Sequence, residues 1–403
     1  MSAMTASVPG AVAIVATLDT KAKEAEYLSD VIRGCGRDTM LIDVGTTKTE
    51  PWAGGSTQPG RVASPAELLQ QIAATTRPRI ADLHAAGSIS AIIGVAGGKG
   101  SGLFGEVVAD LPYGFPKLLI SSARPALLAE LAAKNDIMLY PTLVDLFGVN
   151  GFTSRILENA GRAIAAMHYM PPPVHRTKIV ALTAFGVTTP AVSRCVARLA
   201  DAGIESIVFP ANGAGGGKME ALVAAGEFDA VLDLTTTELA DEVVGGTASA
   251  GPDRLKAAGS RPVPQLIAPG AVDMVNFGPP SSVPEHFKGR HFYSHTPYTT
   301  LMRTTPFENE LIGRLTAKRL SQAKGPCLVL WPANGVSDYD REGGIFRDAV
   351  ADAAWLSAVK RDLPASIECR ELDCHINDPE FADTAVAWIV SQLQGKADAN
   401  AHV

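Results

Sequence analysis

Short apolar runs alternate with longer stretches of helical spacing along the whole chain. The first run, AVAIVAT at residues 11–17, is continuous, as expected for a parallel strand that is covered on both faces. Helical spacing follows at 20–33, and a second run, MLIDV, lies at 40–44. The alternation continues up to residue 140, with strands predicted at 91–95, 117–121 and 137–140 and helices at 65–86, 103–111 and 125–134.

The second half of the chain opens with the same pattern. A strand is predicted at 178–183, a helix at 190–202 and a strand at 205–209. The separation of Ile14 from Leu41 equals that of Val180 from Ile207, 27 residues in each case. This agrees with an internal duplication of a βαβ unit, although such spacing is common in doubly wound folds in general. Later strands are predicted at 230–234, 265–268, 327–331 and 367–372, and helices at 308–322, 349–361 and 380–394.

Three consecutive prolines interrupt the chain within YMPPPV at 169–174. Proline cannot continue a helix, so this segment is predicted to link two domains. A chain of 403 residues is also too long for one typical core. We therefore predict an α/β protein with two Rossmann-like doubly wound domains and mostly parallel sheets, at 1–172 and 173–403. Ligands of such sheets bind beyond the carboxyl ends of the strands.

Composition and charge narrow the set of partners. The formal net charge is −7, and no run of Lys or Arg is long enough to form a surface for nucleic acid or anionic lipid. The apolar run at 11–18 is too short to span a bilayer and lacks the basic flank of a signal peptide. Five dispersed cysteines fit reduced thiols. We expect a cytoplasmic protein with no nucleic-acid and no membrane partner, in which local amides and a few placed cations hold any anion.

The segment GVAGGKGSG at 94–102 is the clearest candidate for a ligand loop. It follows a predicted strand and precedes a predicted helix, so several backbone amides and the start of a helix dipole can converge on an anion. Phosphate is the natural ligand, and a flexible turn with a solvated lysine is the alternative. Nicotinamide dinucleotides are disfavoured, since no Asp or Glu occurs between Leu111 and Ala129 to hold a ribose. The candidate cofactor-binding residues are Gly97, Gly98, Lys99, Gly100, Ser101 and Gly102.

Two further turns carry candidate ligand contacts. PANGAGGGK at 210–218 follows a predicted strand as the first cluster does, and it indicates a second phosphate or carboxylate site or, equally, a tight strand–helix turn. TLDTK at 17–21 lies on the rim expected for a doubly wound sheet, although helix capping by Asp19 or Thr20 is the simpler role. The candidates are Asn212, Gly213, Gly215 and Gly216 in the glycine-rich turn, and Thr17, Asp19 and Lys21 in the other.

The segment DLTTTE at 233–238 has three hydroxyls between two acids. Hydroxyls can donate to a ligand and carboxylates can hold a divalent cation. The predicted ligand contacts are Thr235, Thr236 and Thr237, and the predicted Mg²⁺ ligands are Asp233 and Glu238. The alternative is a capping box, because Thr235 and Glu238 have the Thr-x-x-Glu spacing.

Catalytic candidates lie further along the chain. Residues 268–280 are predicted to form a loop, because they contain too many breakers to be helical, and the segment around His295 is irregular and expected to be partly exposed. Asp273, His295 and Arg303 are the catalytic candidates of this region. A lone histidine is more often structural than catalytic, and only its titration near neutrality favours catalysis here.

Several of these stretches together resemble a largely uncharacterised family. They are 15–21, 94–102, 231–246, 249–255, 269–280 and 301–306, and the resemblance spans nearly the whole chain. The family is related to the ATP-binding amino-terminal domain of the tobamovirus-resistance protein of tomato. The resemblance implies two Rossmann-like subdomains, an ATP or other nucleotide site on the glycine loop, and a homodimer. The plant relative carries a second, barrel-type domain, so a separately encoded barrel-type partner protein is a hypothesis.

Two loops depart from the pattern of that family. Its first loop usually reads Gly-Gly-Ser-Gly-Gly-Thr, where this chain has GGKGSG at 97–102, and its second usually begins His-Ala-Thr-Gly, where this chain has PANG at 210–213. Hydroxyls are lost and Lys99 is gained, which leaves an acidic metabolite as an alternative to ATP. The leading expectation is a protein that uses ATP and Mg²⁺ on a small carboxylate or carbonyl substrate. The alternatives are a non-catalytic, ligand-responsive module that binds a partner and a hydrolase or lyase that needs no nucleotide.

Overall fold

The computed structural model describes residues 10–46, 64–170 and 177–400. The chain forms two compact units, Met1–Pro173 and Val174–Val403, called the amino-terminal and carboxyl-terminal units below. Residues 171–174 of the predicted proline linker lie outside the described residues.

The amino-terminal unit is a five-stranded parallel sheet with helices on both faces. Its strands lie in the order β2-β1-β3-β4-β5, so β1 pairs with β2 on one side and with β3 on the other. The direction of winding therefore reverses between β1 and β3, which is the switch point where doubly wound sheets bind ligands. The elements are β1 (Ala11–Ala16), α1 (Leu18–Gly34), β2 (Thr39–Asp43), α2 (Pro65–Ala85), β3 (Ile89–Ala96), α3 (Gly98–Val107), β4 (Lys117–Ser121), α4 (Pro125–Lys134), β5 (Met138–Pro141) and α5 (Thr153–Ala166).

The continuous apolar run of β1 is explained by burial on both faces of this sheet. Val12 and Ile14 pack with residues of α1 and α5, whereas Ala13 and Val15 pack with residues of α2 and α3. Successive side chains of a strand point to opposite faces, so a strand covered twice has no polar positions. The fold class predicted from the sequence is confirmed.

The carboxyl-terminal unit contains a six-stranded parallel sheet in the order β14-β13-β9-β8-β6-β7. Its first strand, β6, lies between the second and third, β7 and β8, so its switch point is at β6 and β8. The elements are β6 (Ile179–Ala184), α6 (Thr189–Asp201), β7 (Glu205–Pro210), α7 (Ala214–Ala225), β8 (Ala230–Thr235), α8 (Thr237–Val244), α9 (Ala257–Ser260), β9 (Gln265–Gly270), β10 (Met274–Phe277), β11 (Phe292–Thr296), β12 (Thr299–Arg303), α10 (Pro306–Leu320), β13 (Cys327–Pro332), α11 (Ala349–Asp362), β14 (Glu368–Leu372) and α12 (Pro379–Asn400).

A small antiparallel sheet, β10-β12-β11, is inserted between β9 and α10. The sequence interpretation of 268–280 as a loop and of the His295 segment as irregular is wrong, because both contribute strands. These strands are only four or five residues long, and prolines and glycines stand between them. Such short runs carry too little alternation to be separated from loops. Across the described residues, none of the helices combines the length and apolar character needed to span a bilayer.

Candidate functional site

The glycine segment of the amino-terminal unit lies at the switch point between β1 and β3. Strand β3 continues to Ala96, Gly97 caps the next helix with an extended backbone, and α3 begins at Gly98. Gly94 is therefore inside the strand, where a Cβ atom would lie 2.6 Å from the Phe104 ring. The absence of a side chain at this position lets α3 pack closely on β3.

The first turn of α3 presents backbone donors. The first α-helical bond runs from the Ser101 amide to the Gly97 carbonyl over 2.9 Å. The amides of Gly98, Lys99 and Gly100 precede it and have no hydrogen-bond partner among the described residues, nor does a side chain cap the helix. Gly98 and Lys99 are exposed. Three unpaired N–H groups, the helix dipole and the lysine charge together favour an anion here.

Two predicted ligand contacts of this segment, Ser101 and Gly102, do not belong to the group of open amides. The Ser101 side chain is buried, its hydroxyl donates to the Gly97 carbonyl over 2.8 Å, and it lies 2.6 Å from the Ser121 hydroxyl. Gly102 follows the first turn. The structure thus brings Gly97, Gly98, Lys99 and Gly100 together and gives Ser101 a role in joining α3 to β4.

The turn after β1 lies beside this helix start. Ala16 pairs with Val95 in the register of β1 and β3, so Thr17 follows β1 next to the residues that precede Gly97. The Asp19 carboxylate accepts a bond from the Thr46 amide at 3.1 Å, and the Lys21 ammonium donates to the Leu146 carbonyl. Asp19 and Lys21 therefore hold neighbouring loops, and Thr17 directly follows the strand that pairs with β3.

The glycine-rich turn of the carboxyl-terminal unit follows the edge strand β7 and is occupied by the protein itself. The Glu238 carboxylate accepts bonds from the amides of Gly213 and Gly216, at 2.6 and 3.1 Å. The Asn212 side chain accepts from Gly215 at 3.0 Å. A Cβ atom on Gly216 would lie 2.0 Å from Glu238, which explains the glycine. These contacts favour the tight-turn interpretation of this cluster over a second anion site.

Glu238 belongs to a buried ion cluster centred on Arg254. The guanidinium is fully buried and donates to Glu238 over 2.5 Å, to Asp233 over 2.8 Å and to Glu220 over 3.3 Å. Glu220 in turn accepts from the Leu255 amide over 2.7 Å. Burial raises the pKa of Glu220 and of Glu238, and the charge of Arg254 opposes that rise.

The predicted Mg²⁺ ligands fit a metal poorly. Asp233 accepts from Arg254 and, at 2.7 Å, from the Thr183 hydroxyl, so both of its oxygens are engaged, as are both of Glu238. A guanidinium beside both carboxylates already supplies the positive charge that a cation would bring. Within the described residues, no group of three or more His, Cys, Asp or Glu side chains is arranged to hold a metal ion.

The three threonine hydroxyls of this segment are buried and bonded within the protein. Thr235 lies 2.8 Å from the Thr188 hydroxyl, Thr236 donates to the Ala268 carbonyl over 3.0 Å, and Thr237 donates to the Met274 carbonyl over 3.4 Å. All three residues have zero solvent exposure. Their contacts join the end of β8 to the turn after β6, to β9 and to β10, so the motif 233–238 builds the carboxyl end of the sheet.

A second buried cluster surrounds two of the predicted catalytic residues. Arg303 donates to Asp352 over 2.7 Å and lies 3.6 Å from Asp340. Asp273 is fully buried, and one of its oxygens accepts from the Ser337 hydroxyl at 2.8 Å. The other oxygen, Oδ1, has no hydrogen-bond partner among the described residues. Burial, with a smaller contribution from Asp340, raises the pKa of Asp273 to about 7, although Arg303 opposes the rise.

We expect Asp273→Asn to flatten the pH dependence of stability. The pKa of Asp273 is higher in the folded protein than its ordinary 3.8, so the folded state binds more protons than the unfolded state between pH 4 and about 7. The free energy of unfolding of the wild type therefore falls as pH rises through this window. At pH 8 the asparagine variant should melt at the same temperature or a few degrees higher, on the order of 1 kcal/mol of added stability.

Thermal unfolding at pH 4.5, 6 and 8 measures this slope. A smaller slope should remain in the variant, because burial also raises the pKa of Asp352 to about 8. Asp253→Asn is the matched control, since that side chain is 86% exposed. A variant that melts below the wild type at pH 8 would contradict the expectation.

His295, the third predicted catalytic residue, is exposed on β11. Its Nδ1 atom lies 2.8 Å from the hydroxyl of Tyr339, in the segment that follows β13. Sequence reasoning missed Tyr339. Its signal was an aromatic residue between two acids, in the segment that follows the strand predicted at 327–331. Arg303 and Asp273 lie in the interior, whereas the pair of His295 and Tyr339 is at the surface.

Comparison with known proteins finds one family over both units. Residues 10–173 match the amino-terminal domain of the uncharacterised protein family UPF0261, and residues 177–393 match its carboxyl-terminal domain. A UPF0261 protein of Rhizobium meliloti is 38% identical over 93% of this chain and 97% of its own length. A UPF0261 protein of Clostridium tetani is 35% identical over 94% of this chain and 98% of its own. The ToMV resistance protein Tm-1(GCR237) of Solanum lycopersicum is 36% identical over 74% of this chain and 41% of its own length.

Proposed function

The chain belongs to the uncharacterised protein family UPF0261, as its motifs predicted, and from this premise we propose that its amino-terminal unit binds the phosphates of a nucleotide, with ATP as the first candidate. One observation carries the proposal. Three backbone amides at the start of α3 have no partner among the described residues, and they lie at the switch point of a doubly wound sheet.

The contrast between the two glycine turns supports this proposal. Both follow a strand and begin a helix, and in the carboxyl-terminal unit an anion does occupy the turn, namely the Glu238 carboxylate. In the amino-terminal unit the amides of the glycine turn after β3 have no such internal carboxylate in the part of the chain that the structure describes, and they are left for an external anion. Lys99 adds a full positive charge, and Thr17 adds a hydroxyl directly after the neighbouring strand β1.

We extend the proposal to an ATP- and Mg²⁺-dependent reaction on a small carboxylate or carbonyl compound. Magnesium in such sites is held largely by the substrate phosphates and by waters, with one or two carboxylates. Asp233 and Glu238 are not part of the proposed metal site, because Arg254 neutralises them. We propose a cytoplasmic location, which the five free cysteines support.

A ligand-responsive module that binds a protein partner is the second candidate. Apolar side chains are exposed in the segment that follows β5, which is typical of an interaction surface. They are Leu143, Val144, Phe147, Val149 and Phe152. We propose that the chain forms a homodimer and that a separately encoded barrel-type protein is a further partner.

Isothermal titration calorimetry with ATP, ADP, NAD and inorganic phosphate tests the nucleotide proposal. ATP and ADP should bind, and Lys99→Ala should weaken ATP binding about tenfold through the loss of one charge-assisted contact. Lys134→Ala, an exposed lysine at the end of α4, should leave the affinity unchanged. Tight binding of NAD without ATP would reject the proposal.

Turnover distinguishes the two candidate functions. Release of phosphate from ATP by the wild type, lost in Lys99→Ala, would show that the protein is an enzyme and not a non-catalytic module.

A further inference from the structure

A carboxylate lies beside the glycine turn of the amino-terminal unit. Asp145, in the segment that follows β5, accepts a hydrogen bond over 2.9 Å from the hydroxyl of Ser122, which follows β4. The Ser122 amide donates to the Ala96 carbonyl over 3.2 Å, and a Cβ atom on Gly97 would lie 3.8 Å from the Ser122 hydroxyl. One serine side chain therefore separates the Asp145 carboxylate from the cap of α3.

The segment that carries Asp145 passes over the carboxyl edge of the sheet. It begins after β5, where the Thr142 amide donates to the Ser121 carbonyl over 2.8 Å. It ends in α5, which packs with α1 on the face of the sheet opposite to α2 and α3. Between these points it contacts Ser122 after β4 and Lys21 in α1. The segment thus forms a wall across the strand ends from the start of α3, where ligands of doubly wound sheets bind.

Contacts to α1 fix the backbone next to Asp145. The Lys21 ammonium donates to the carbonyl of Leu146, whose side chain is buried. The Gly148 amide donates to the Glu24 carboxylate over 2.8 Å. The position of Asp145 is therefore set by the fold before any ligand arrives, as a ligand-binding group requires.

One oxygen of the Asp145 carboxylate is open. Its Oδ1 atom accepts from Ser122, whereas Oδ2 has no hydrogen bond to any residue that the structure describes, and the side chain is exposed. Among the described residues, no lysine or arginine forms an ion pair with it. Asp145 differs in this respect from Asp233 and Glu238, whose charges are neutralised by Arg254.

A carboxylate and a hydroxyl are oxygen donors of the kind that Mg²⁺ binds. In nucleotide sites this ion keeps several waters and is held by one or two carboxylates together with the substrate phosphates. The amino-terminal unit agrees with such a site, because the described residues offer this single open carboxylate beside the glycine turn and no group of three or more acids, histidines or cysteines. The other ligands would come from the nucleotide and from water.

We propose that Asp145 holds the Mg²⁺ ion of a nucleotide whose phosphates bind the open amides at the start of α3. This inference rests on the proposed nucleotide site and gives it the metal ligand that Asp233 and Glu238 do not provide. In the absence of the ion, the same carboxylate repels the phosphates. Asp145 therefore makes the site selective for the magnesium complex of the nucleotide over the free nucleotide.

Calorimetry with ATP, in magnesium chloride and in EDTA, tests the assignment. Mg²⁺ should raise the ATP affinity of the wild type about tenfold, and Asp145→Asn should lose this gain. In EDTA the variant should bind ATP as tightly as the wild type or up to about threefold more tightly, because one negative charge near the phosphates is removed. Asparagine still accepts the bond from Ser122, so the fold should persist. Asp30→Asn, exposed near the far end of α1, should keep both wild-type affinities.

The two buffers separate the possible failures. Equal ATP affinity of the wild type in both would leave the phosphate site in place and overturn the role of Asp145. A folded Asp145→Asn protein that keeps the gain from Mg²⁺ would assign the ion to other groups. Equal losses of affinity in both buffers would show that Asp145 only supports the segment after β5. Failure of the wild type to bind ATP in either buffer would remove the nucleotide site itself, and this inference with it.

Discussion

Arg254→Met is expected to destabilise the carboxyl-terminal unit strongly. The substitution leaves Asp233, Glu238 and Glu220 in the interior without their shared cation. Removal of one partner from a buried ion cluster costs about 3–5 kcal/mol, because the remaining charges are desolvated and uncompensated. The free energy of unfolding of most domains is only about 5–15 kcal/mol, so this single change removes a large part of it.

Thermal and urea unfolding, monitored by circular dichroism, measure the loss. Arg341→Met is the control, because that side chain is 55% exposed in its pair with Asp338 and should shift the melting temperature little. The melting temperature of Arg254→Lys should lie between those of Arg254→Met and Arg341→Met, because one ammonium cannot replace a guanidinium that reaches three carboxylates. The loss of stability in Arg254→Met should become smaller toward acidic pH, because protonation of the three carboxylates removes their buried negative charges. A melting temperature within a few degrees of wild type at pH 8 would refute this account.

The parallel sheets could be predicted from the sequence because burial on both faces leaves a local mark. Val12 to Ala16 and Ile92 to Val95 are continuous apolar or glycine runs, and each stands before a turn that begins a helix. Strand order is not encoded in this way. The pairing of β1 with β3 joins residues about 80 positions apart, and only the three-dimensional structure identifies the switch point beside Gly97.

The motif at 233–238 was interpreted as ligand chemistry because side-chain type is visible in a sequence and burial is not. Asp233 and Glu238 meet Arg254 from 21 and 16 residues away, and Glu238 meets Gly213 from 25 residues away. The local hydrophobic periodicity of the sequence does not indicate such contacts. A buried carboxylate that is paired with arginine and one that holds a metal look identical in the sequence, and only the geometry distinguishes them.

The same limit explains why Tyr339 was missed while His295 was found. Histidine attracts attention in any sequence because it titrates near neutrality. A tyrosine becomes a candidate only when a partner is seen next to it, and here the partner lies 44 residues earlier on a strand of five residues. The segment that carries Tyr339 is held by contacts to the segments that follow β6 and β14, which are again distant in the chain.

Gly98→Asp is expected to abolish nucleotide binding and leave the fold intact. Gly98 is the first residue of α3, it is exposed, and a Cβ atom there would meet nothing within 4 Å. A carboxylate at a helix start interacts favourably with the dipole, so the melting temperature should stay the same or rise slightly. The same carboxylate would compete for the open amides and repel phosphate, and the loss of two or three charge-assisted bonds corresponds to about a hundredfold or more in affinity.

Gly102→Asp is the matched control on the same helix. A Cβ atom on Gly102 also meets nothing within 4 Å, but this residue lies beyond the first turn, where the amides are already bonded within the helix. Calorimetry with ATP should therefore give an affinity within about threefold of wild type for Gly102→Asp, against a signal below detection for Gly98→Asp. Equal losses in both variants would mean that general negative charge near α3, and not occupation of its first-turn amides, governs binding. Unchanged affinity in a folded Gly98→Asp protein would remove the phosphate site from this helix altogether.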